Sequence, residues 1–298
     1  MNRILLLGAS GFLGGHVHRA LLDHPRLNDV SCPGRDRCDL INASVGDITR
    51  LLNDEHPAAV VNCTGRLDGD LADLVLANTV VTAKLLDAIA ATNAPIRLVR
   101  LGSAGEYGPI PFHHSVTETH PAQPVGAYGL SHLTATHLVS MAAAAGRVDG
   151  VTLRVFNPIG TGSGDASLLG RATTQLRQAV SGGWTSMTFG PLSAYRDFVD
   201  ARDVASAVAA ALLAPRLPVR VLNVGSGRAV QTRAAVQALA RLAGFTGEIK
   251  ETGASSERSA EVSWTCADIS HAGSILDWRP AHDLDESLKA LWAGSAGA

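Results

Sequence analysis

The chain has 298 residues, 46% of them hydrophobic and 17% charged, a composition that can bury a large core and excludes a disordered chain. A formal net charge of −2, with acidic and basic residues interspersed, gives no basic footprint for nucleic acid or an anionic membrane, so the expected partner is a small molecule. Cys32, Cys38, Cys63 and Cys266 lie far apart with no Cys-x-x-Cys pair, which predicts reduced thiols in a cytoplasmic protein rather than a disulfide framework or a zinc site.

Along the chain, short apolar runs alternate with longer amphipathic ones. Ile4–Leu7 reads as a strand and Phe12–Leu22 as the helix after it; Asp29–Cys32 is a weaker strand. The first apolar run meets Gly8 after four residues, which argues against a signal peptide, and no stretch is expected to reach membrane-spanning length. Ala59–Asn62 then precedes a helical run over Leu71–Ala91, Leu98–Gly102 precedes another over Tyr128–Ala145, and Val151–Phe156 follows. This alternation predicts an α/β fold with a parallel, doubly wound, Rossmann-like sheet, and continuously apolar strands fit burial on both faces. Beyond Phe156 the rhythm gives way to Gly/Ser-rich loops around Gly160–Gly164 and Gly182–Gly183, while Val221–Val224 reads as a buried strand returning to the sheet. The expected organisation is a dinucleotide-binding domain over residues 1–156, with 190–224 partly returning to it, and a smaller C-terminal α/β substrate-binding part mainly over 157–298.

Gly8-Ala9-Ser10-Gly11-Phe12-Leu13-Gly14 follows the first strand directly and opens the first helix. Glycines in that context let the backbone approach a pyrophosphate at a helix N-terminus, which makes Gly8, Ser10, Gly11, Phe12, Leu13 and Gly14 the expected cofactor loop. Val30–Arg35 holds no acid just past the second strand, where a dinucleotide's free ribose hydroxyls would be bound; Arg35 stands there instead, with Arg37 close behind, while Asp36 between them is the one residue that argues for the unphosphorylated cofactor. A guanidinium suits a 2′-phosphate, so NADP(H) is favoured over NAD(H).

The Gly-x-x-Gly-x-x-Gly spacing resembles that of the extended short-chain dehydrogenase/reductase family, of the NAD-dependent epimerase/dehydratase type. Leu101-Gly102-Ser103-Ala104-Gly105-Glu106-Tyr107-Gly108 is similar to that family's Ser-Ser-x-x-x-Tyr-Gly stretch. Tyr128-Gly129-Leu130-Ser131-His132, 25 residues after Ser103, resembles its Tyr-x-x-x-Lys, with histidine in the lysine's place. Asn62-Cys63-Thr64-Gly65, Leu153-Arg154-Val155-Phe156-Asn157-Pro158, Arg196-Asp197-Phe198-Val199 with Asp203-Val204, Leu222-Asn223-Val224-Gly225 and Trp278-Arg279-Pro280 extend the likeness through the chain. Within the family it looks closest to nucleotide-sugar epimerases, dehydratases and 4-ketoreductases.

The resemblance implies that Tyr128 is the proton donor, that Ser103 hydrogen-bonds the same oxygen, and that His132 replaces lysine at the nicotinamide ribose. It adds Asp39, Leu40, Thr64, Gly65 and Asn78 to the cofactor site. It puts Ser103, Ala104, Asn157, Arg196 and Arg258 at the substrate, with Arg258 on a diphosphate. It also implies a homodimer through the runs Leu71–Ala91 and Gly126–Ala145, with Leu74, Val81, Leu85 and Leu138 on their apolar faces. A neutral imidazole helps a tyrosinate less than an ammonium would, which favours reduction of a keto group on a nucleotide-activated deoxysugar. Epimerisation, dehydration assisted by Glu106 or Glu118, and a cofactor-binding regulator without turnover are the rival readings. If His132 charges during turnover, mild acid should favour reduction, and His132→Lys should preserve activity. Asp203 is expected to cap a helix over Val204–Leu213. His16, His18, His113, His114 and His120 lack metal-ligand spacing, so no metal is expected.

Overall fold

A computed structural model describes residues 3–252 and 262–294. In chain order the first half comprises β1 (Ile4–Leu7), α1 (Phe12–Leu22), β2 (Val30–Ser31), α2 (Val45–Glu55), β3 (Ala59–Asn62), α3 (Leu71–Leu74), a π-helical turn (Val75–Val80), α4 (Val81–Ala91), β4 (Arg97–Ser103), α5 (Ala127–Ala144) and β5 (Asp149–Val155). The second half comprises β6 (Pro158–Ile159), α6 (Leu168–Gly182), β7 (Ser186–Phe189), β8 (Tyr195–Asp197), β9 (Val199–Asp200), α7 (Ala201–Leu213), β10 (Val221–Val224), β11 (Ala229–Gln231), α8 (Thr232–Leu242), β12 (Glu248–Glu251), α9 (Ser270–Leu276) and α10 (Leu284–Gly294).

The six-stranded sheet runs β10-β5-β4-β3-β1-β2 with every pairing parallel, as the alternating pattern predicts. In register, Leu7 lies opposite Asn62 and Asn62 opposite Arg100. The loops that leave β1 and β3 therefore open at one edge of the sheet, and β4 runs three residues further to Ser103. Crevices at the carboxyl ends of parallel strands are where such sheets bind ligands.

Alternation within the strands divides the core. Ile4 and Leu6 pack under α1 and α7, while Leu5 and Leu7 pack with α2, α4 and α5. A third cluster, drawn from residues 159–291 and including Leu176, Phe189, Leu239 and Leu288, fills the second half beside the sheet.

Two expectations change here. Leu71–Ala91 is one helical run of 21 residues, apolar enough by length and composition to cross a membrane, contrary to the expectation of no such stretch. Its apolar face is a core face: Leu74, Val81 and Leu85 are buried against the chain's own sheet and neighbouring helices, so they are not available to a partner. Asp203 is not a helix cap either. Asp200 caps α7 by accepting from Arg202 N at 2.8 Å, whereas Asp203, one turn inside, accepts from Ala281 N (3.1 Å), His282 N (3.0 Å) and His282 Nδ1 (2.8 Å).

Asp203 therefore ties the C-terminal segment to the fold. Asp203→Ala leaves two backbone donors without their acceptor and is expected to cost about 2–3 kcal/mol of unfolding free energy in urea titrations, with dinucleotide binding unchanged in the folded protein.

Candidate active site

The glycine loop is built for close backbone approach. Gly8 has φ +84°, and a methyl there would lie 3.0 Å from Cys63 C and Thr64 N; at Gly14 a methyl would lie 1.9 Å from the Gly8 carbonyl oxygen. Any side chain at either position would push the loop off the sheet edge. Gly11 N donates to Gly8 O at 3.0 Å, and Gly11 caps α1 without a side-chain acceptor, leaving the first N–H groups of an 11-residue helix for an anion. These residues fit a dinucleotide pyrophosphate. Across the crevice, Asn62 Oδ1 accepts from Thr64 N (3.0 Å) and Thr64 Oγ1 (2.6 Å), fixing the start of the loop that carries Gly65.

Ser103 and Tyr128 meet over Gly105. Ser103 Oγ accepts from Gly105 N at 3.1 Å, and a methyl at Gly105 would lie 3.3 Å from both Ser103 Oγ and Tyr128 Cε1. The start of α5 sits close on this turn because residue 129 is glycine: a methyl there would lie 2.3 Å from Gly105 O. One helical turn beyond, the His132 ring lies 4.7 Å from the Tyr128 ring between centroids, and its Cε1 is 4.0 Å from where a Gly65 methyl would stand. The three residues expected to do chemistry thus share one crevice with the Thr64–Gly65 loop.

Behind them lies a buried polar network that the sequence reading did not anticipate. Arg100 donates to His132 Nδ1 (3.0 Å), Thr136 Oγ1 (3.3 Å) and Thr82 Oγ1 (3.2 Å). Glu106, with no exposed surface, accepts from Ser103 N (3.1 Å), Thr136 Oγ1 (3.0 Å) and Arg154 Nε (2.7 Å). Burial and the Arg100 guanidinium hold the His132 pKa well below the ordinary histidine value. The imidazole is therefore neutral through mild acid, which corrects the expectation that it charges to assist reduction. Glu106 and Glu118 are likewise removed as bases beside a sugar. Glu106 is committed to the network, and Glu118 accepts from Asn223 N (2.8 Å) while its second oxygen pairs with His271 (2.9 Å).

Other expected residues are placed differently. Asn78, on the π-helical turn, is buried, and both amide hydrogens are engaged by Arg66 O (3.1 Å) and Ser131 Oγ (3.0 Å); it braces the Gly65 loop against α5 rather than facing a ligand. Asp39 accepts from Ile41 N and Asn42 Nδ2 within its own turn, and Leu40 packs on the core. Ala104 packs with Tyr107, Ile110 and Phe156 in a buried cluster. Asn157 donates to Asp197 O at 3.1 Å. Arg196 donates to Tyr195 O and Val262 O, and burial pulls its pKa down to about 10. Arg35 is exposed past β2 with no ion pair among the described residues, whereas Arg37 pairs with Glu55. Arg258 lies outside the described residues.

The sequence profile of the NAD dependent epimerase/dehydratase family matches residues 4–225. The chain is 36% identical to the dTDP-6-deoxy-L-talose 4-dehydrogenase (NAD(P)(+)) of Kitasatospora kifunensis, over 99% of this chain and 96% of that protein. It is 26% identical to a UDP-glucose 4-epimerase of Corynebacterium glutamicum, over 98% and 95%. Its fold superposes on RMD from Pseudomonas aeruginosa, solved with NADPH, with a TM-score of 0.88 at 25% identity over 99% and 98% of the two chains.

His132 also leaves a mark on stability. In the unfolded chain it titrates near the ordinary value of about 6.5, and in the fold it stays neutral to lower pH. As pH falls below about 6.5 the unfolded state binds the extra proton, so wild type should lose stability relative to His132→Gln. Urea unfolding of both proteins at pH 7.5 and 5.5 checks this; a gap independent of pH would contradict it.

Proposed function

The chain belongs to the NAD dependent epimerase/dehydratase family, and from that premise we propose that it is an NAD(P)-dependent oxidoreductase that interconverts a keto group and a hydroxyl on a nucleotide-activated deoxysugar. The observation that carries this reading is the convergence of Ser103 and Tyr128 over Gly105, with His132 one turn on. The 36% identity to a dTDP-6-deoxy-L-talose 4-dehydrogenase supports the deoxysugar as substrate class.

A bound nicotinamide supplies the hydride in reduction and accepts it in oxidation. Tyr128 delivers the proton to the sugar oxygen as it becomes an alkoxide, and takes it back in the reverse direction. Ser103 Oγ already accepts from Gly105 N, so its own hydrogen is left to bond that oxygen and stabilise its charge. His132 holds the nicotinamide ribose as a neutral hydrogen-bonding group. Gly8–Gly14 and the start of α1 hold the pyrophosphate, and Thr64 and Gly65 border the ribose. At the substrate end, Arg196 is a half-buried guanidinium whose partners among the described residues are the backbone carbonyls of Tyr195 and Val262, and an anionic diphosphate would offset its desolvation. Arg258 is assigned to the same group, and Asn157 supports the loop through Asp197.

Arg35, exposed past β2 ahead of Asp36, favours NADP(H) over NAD(H). The four free cysteines favour a reducing, cytoplasmic setting. A homodimer is retained with a different face: Leu71, Leu130 and Met141 are exposed on α3 and α5, at 60%, 50% and 68%, and would be covered by a second copy. Epimerisation remains the second reading because the Corynebacterium glutamicum relative is an epimerase.

Four measurements test this function. Incubated with NADPH and a dTDP-4-keto-6-deoxyhexose, the enzyme should oxidise one cofactor per sugar reduced; an epimeric product without net cofactor consumption would favour the second reading. Tyr128→Phe should lower kcat by about 10²–10⁴-fold while the thermal shift produced by NADPH persists. Arg35→Ala should weaken NADPH binding by about tenfold and leave NADH binding unchanged in calorimetry. Sedimentation at micromolar concentration should give a dimer, and Met141→Glu a monomer.

A further inference from the structure

Position 132 lacks the permanent charge that an ammonium would bring to the site, yet a permanent charge stands directly behind it. Arg100 projects from β4 toward α4 and α5, is 2% exposed, and contacts His132, Thr136 and Thr82, none of which carries negative charge. Among the described residues no carboxylate pairs with it directly. Glu106, the nearest acid in the network, gives one oxygen to Arg154 Nε at 2.7 Å and is linked to Arg100 through the Thr136 hydroxyl. The network therefore holds two guanidinium groups against one carboxylate. The surplus positive charge lies at its Arg100 end, beside His132 and Tyr128.

A desolvated cation without a counter-ion is costly, and the simplest reason for keeping one is an anion that exists only during turnover. We propose that Arg100 is a positioning residue whose charge acts through His132: it fixes the imidazole as the Nε2–H tautomer and favours the phenolate of Tyr128, so positions 100 and 132 share the work of one ammonium. This rests on Tyr128 being the proton donor. The tautomer follows from donor chemistry: a guanidinium can only donate, so Nδ1 must be the bare nitrogen and the proton of a neutral ring must sit on Nε2, the atom left to meet a ribose hydroxyl. Tyr128 is among the groups that favour the charged form of Arg100, alongside Glu106, while Arg154 and burial oppose it.

The titratable groups facing this centre are Tyr128 and His132 from α5, Arg100 from β4, Glu106 and Tyr107 from the turn after β4, and Arg154 from β5; α4 presents only Thr82. The arrangement also revises the expectation for lysine at 132. With Arg100 present, His132→Lys would set an ammonium against a guanidinium in a buried space, so the single variant should lose activity. Arg100→Met/His132→Lys, with one cation again, should recover it.

Nitrogen-detected NMR of the imidazoles in the full chain without cofactor, with His132 assigned by its loss in His132→Gln, tests the tautomer apart from activity. Wild type should show a neutral Nε2–H ring from pH 5.5 to 8. In Arg100→Met the ring should titrate nearer the ordinary value. An Nδ1–H ring, or titration of wild-type His132 within that range, overturns the proposal. In turnover, Arg100→Met should move the acid limb of the oxidation profile upward by about one unit, a tenfold change in the tyrosine's ionisation, and the double variant should bring it back. An active Tyr128→Phe would overturn the underlying site assignment. An inactive Tyr128→Phe together with an unmoved profile in Arg100→Met would overturn the role of Arg100 alone.

Discussion

The carboxylate of Glu106, buried without any exposed surface, joins the three elements that must be held in register for the site to exist. Through Ser103 N it holds the end of β4, through Thr136 it holds α5, and through Arg154 it holds β5. Ser103 arrives on a strand and Tyr128 on a helix that begins more than twenty residues later, so their meeting depends on how that helix is set against that strand. Charge-assisted bonds to a fully desolvated carboxylate are directional and strong, and they fix the setting where apolar packing alone would allow sliding. The glycines at 105 and 129 then allow the approach that the carboxylate holds in place.

The same network reaches the second half of the chain. The Arg154 guanidinium lies 4.5 Å over the Tyr107 ring, whose hydroxyl donates to Asn223 Oδ1 at 2.6 Å, and Asn223 is a residue of β10. Burial pushes the Tyr107 pKa up to about 12, so this tyrosine stays protonated and structural. Tyr107 and Tyr128 thus lie on either side of one turn in different surroundings: Tyr107 is enclosed, whereas Tyr128 is partly exposed at the crevice.

Much of this was legible in the sequence because it depends on local pattern. The continuous apolar runs Ile4–Leu7, Ala59–Asn62 and Val221–Val224 become strands with those bounds, and the glycine loop sits between strand and helix as expected. Ser103, Tyr128 and His132 are brought together as the family resemblance implies. The buried arginines were not legible. Arg100 and Arg154 interrupt apolar strands, and nothing in a linear pattern says that one carboxylate three residues past the end of β4 will be folded beneath both. Helix α2 was missed although Ser44 and Asp47 form a reciprocal capping box at its start, a signal that could have found it. Leu74, Val81 and Leu85 were read as a partner face because an apolar stripe does not reveal whether its own sheet or a second copy covers it.

The position of β10 has a consequence for anyone who would exchange substrate preference among relatives. Val221–Val224 is inserted as the edge strand beside β5, with Leu222 opposite Leu153 and Asn223 opposite Arg154, and α7 before it packs on the same sheet, although α6 and β7 earlier in the chain and α8 after it build the other core. A chimera cut once after β5 would replace that edge together with the specificity elements and separate Asn223 from Tyr107. Grafting therefore calls for at least two junctions, one on each side of residues 201–224, so that the recipient keeps its own α7 and sixth strand while the segments around them change.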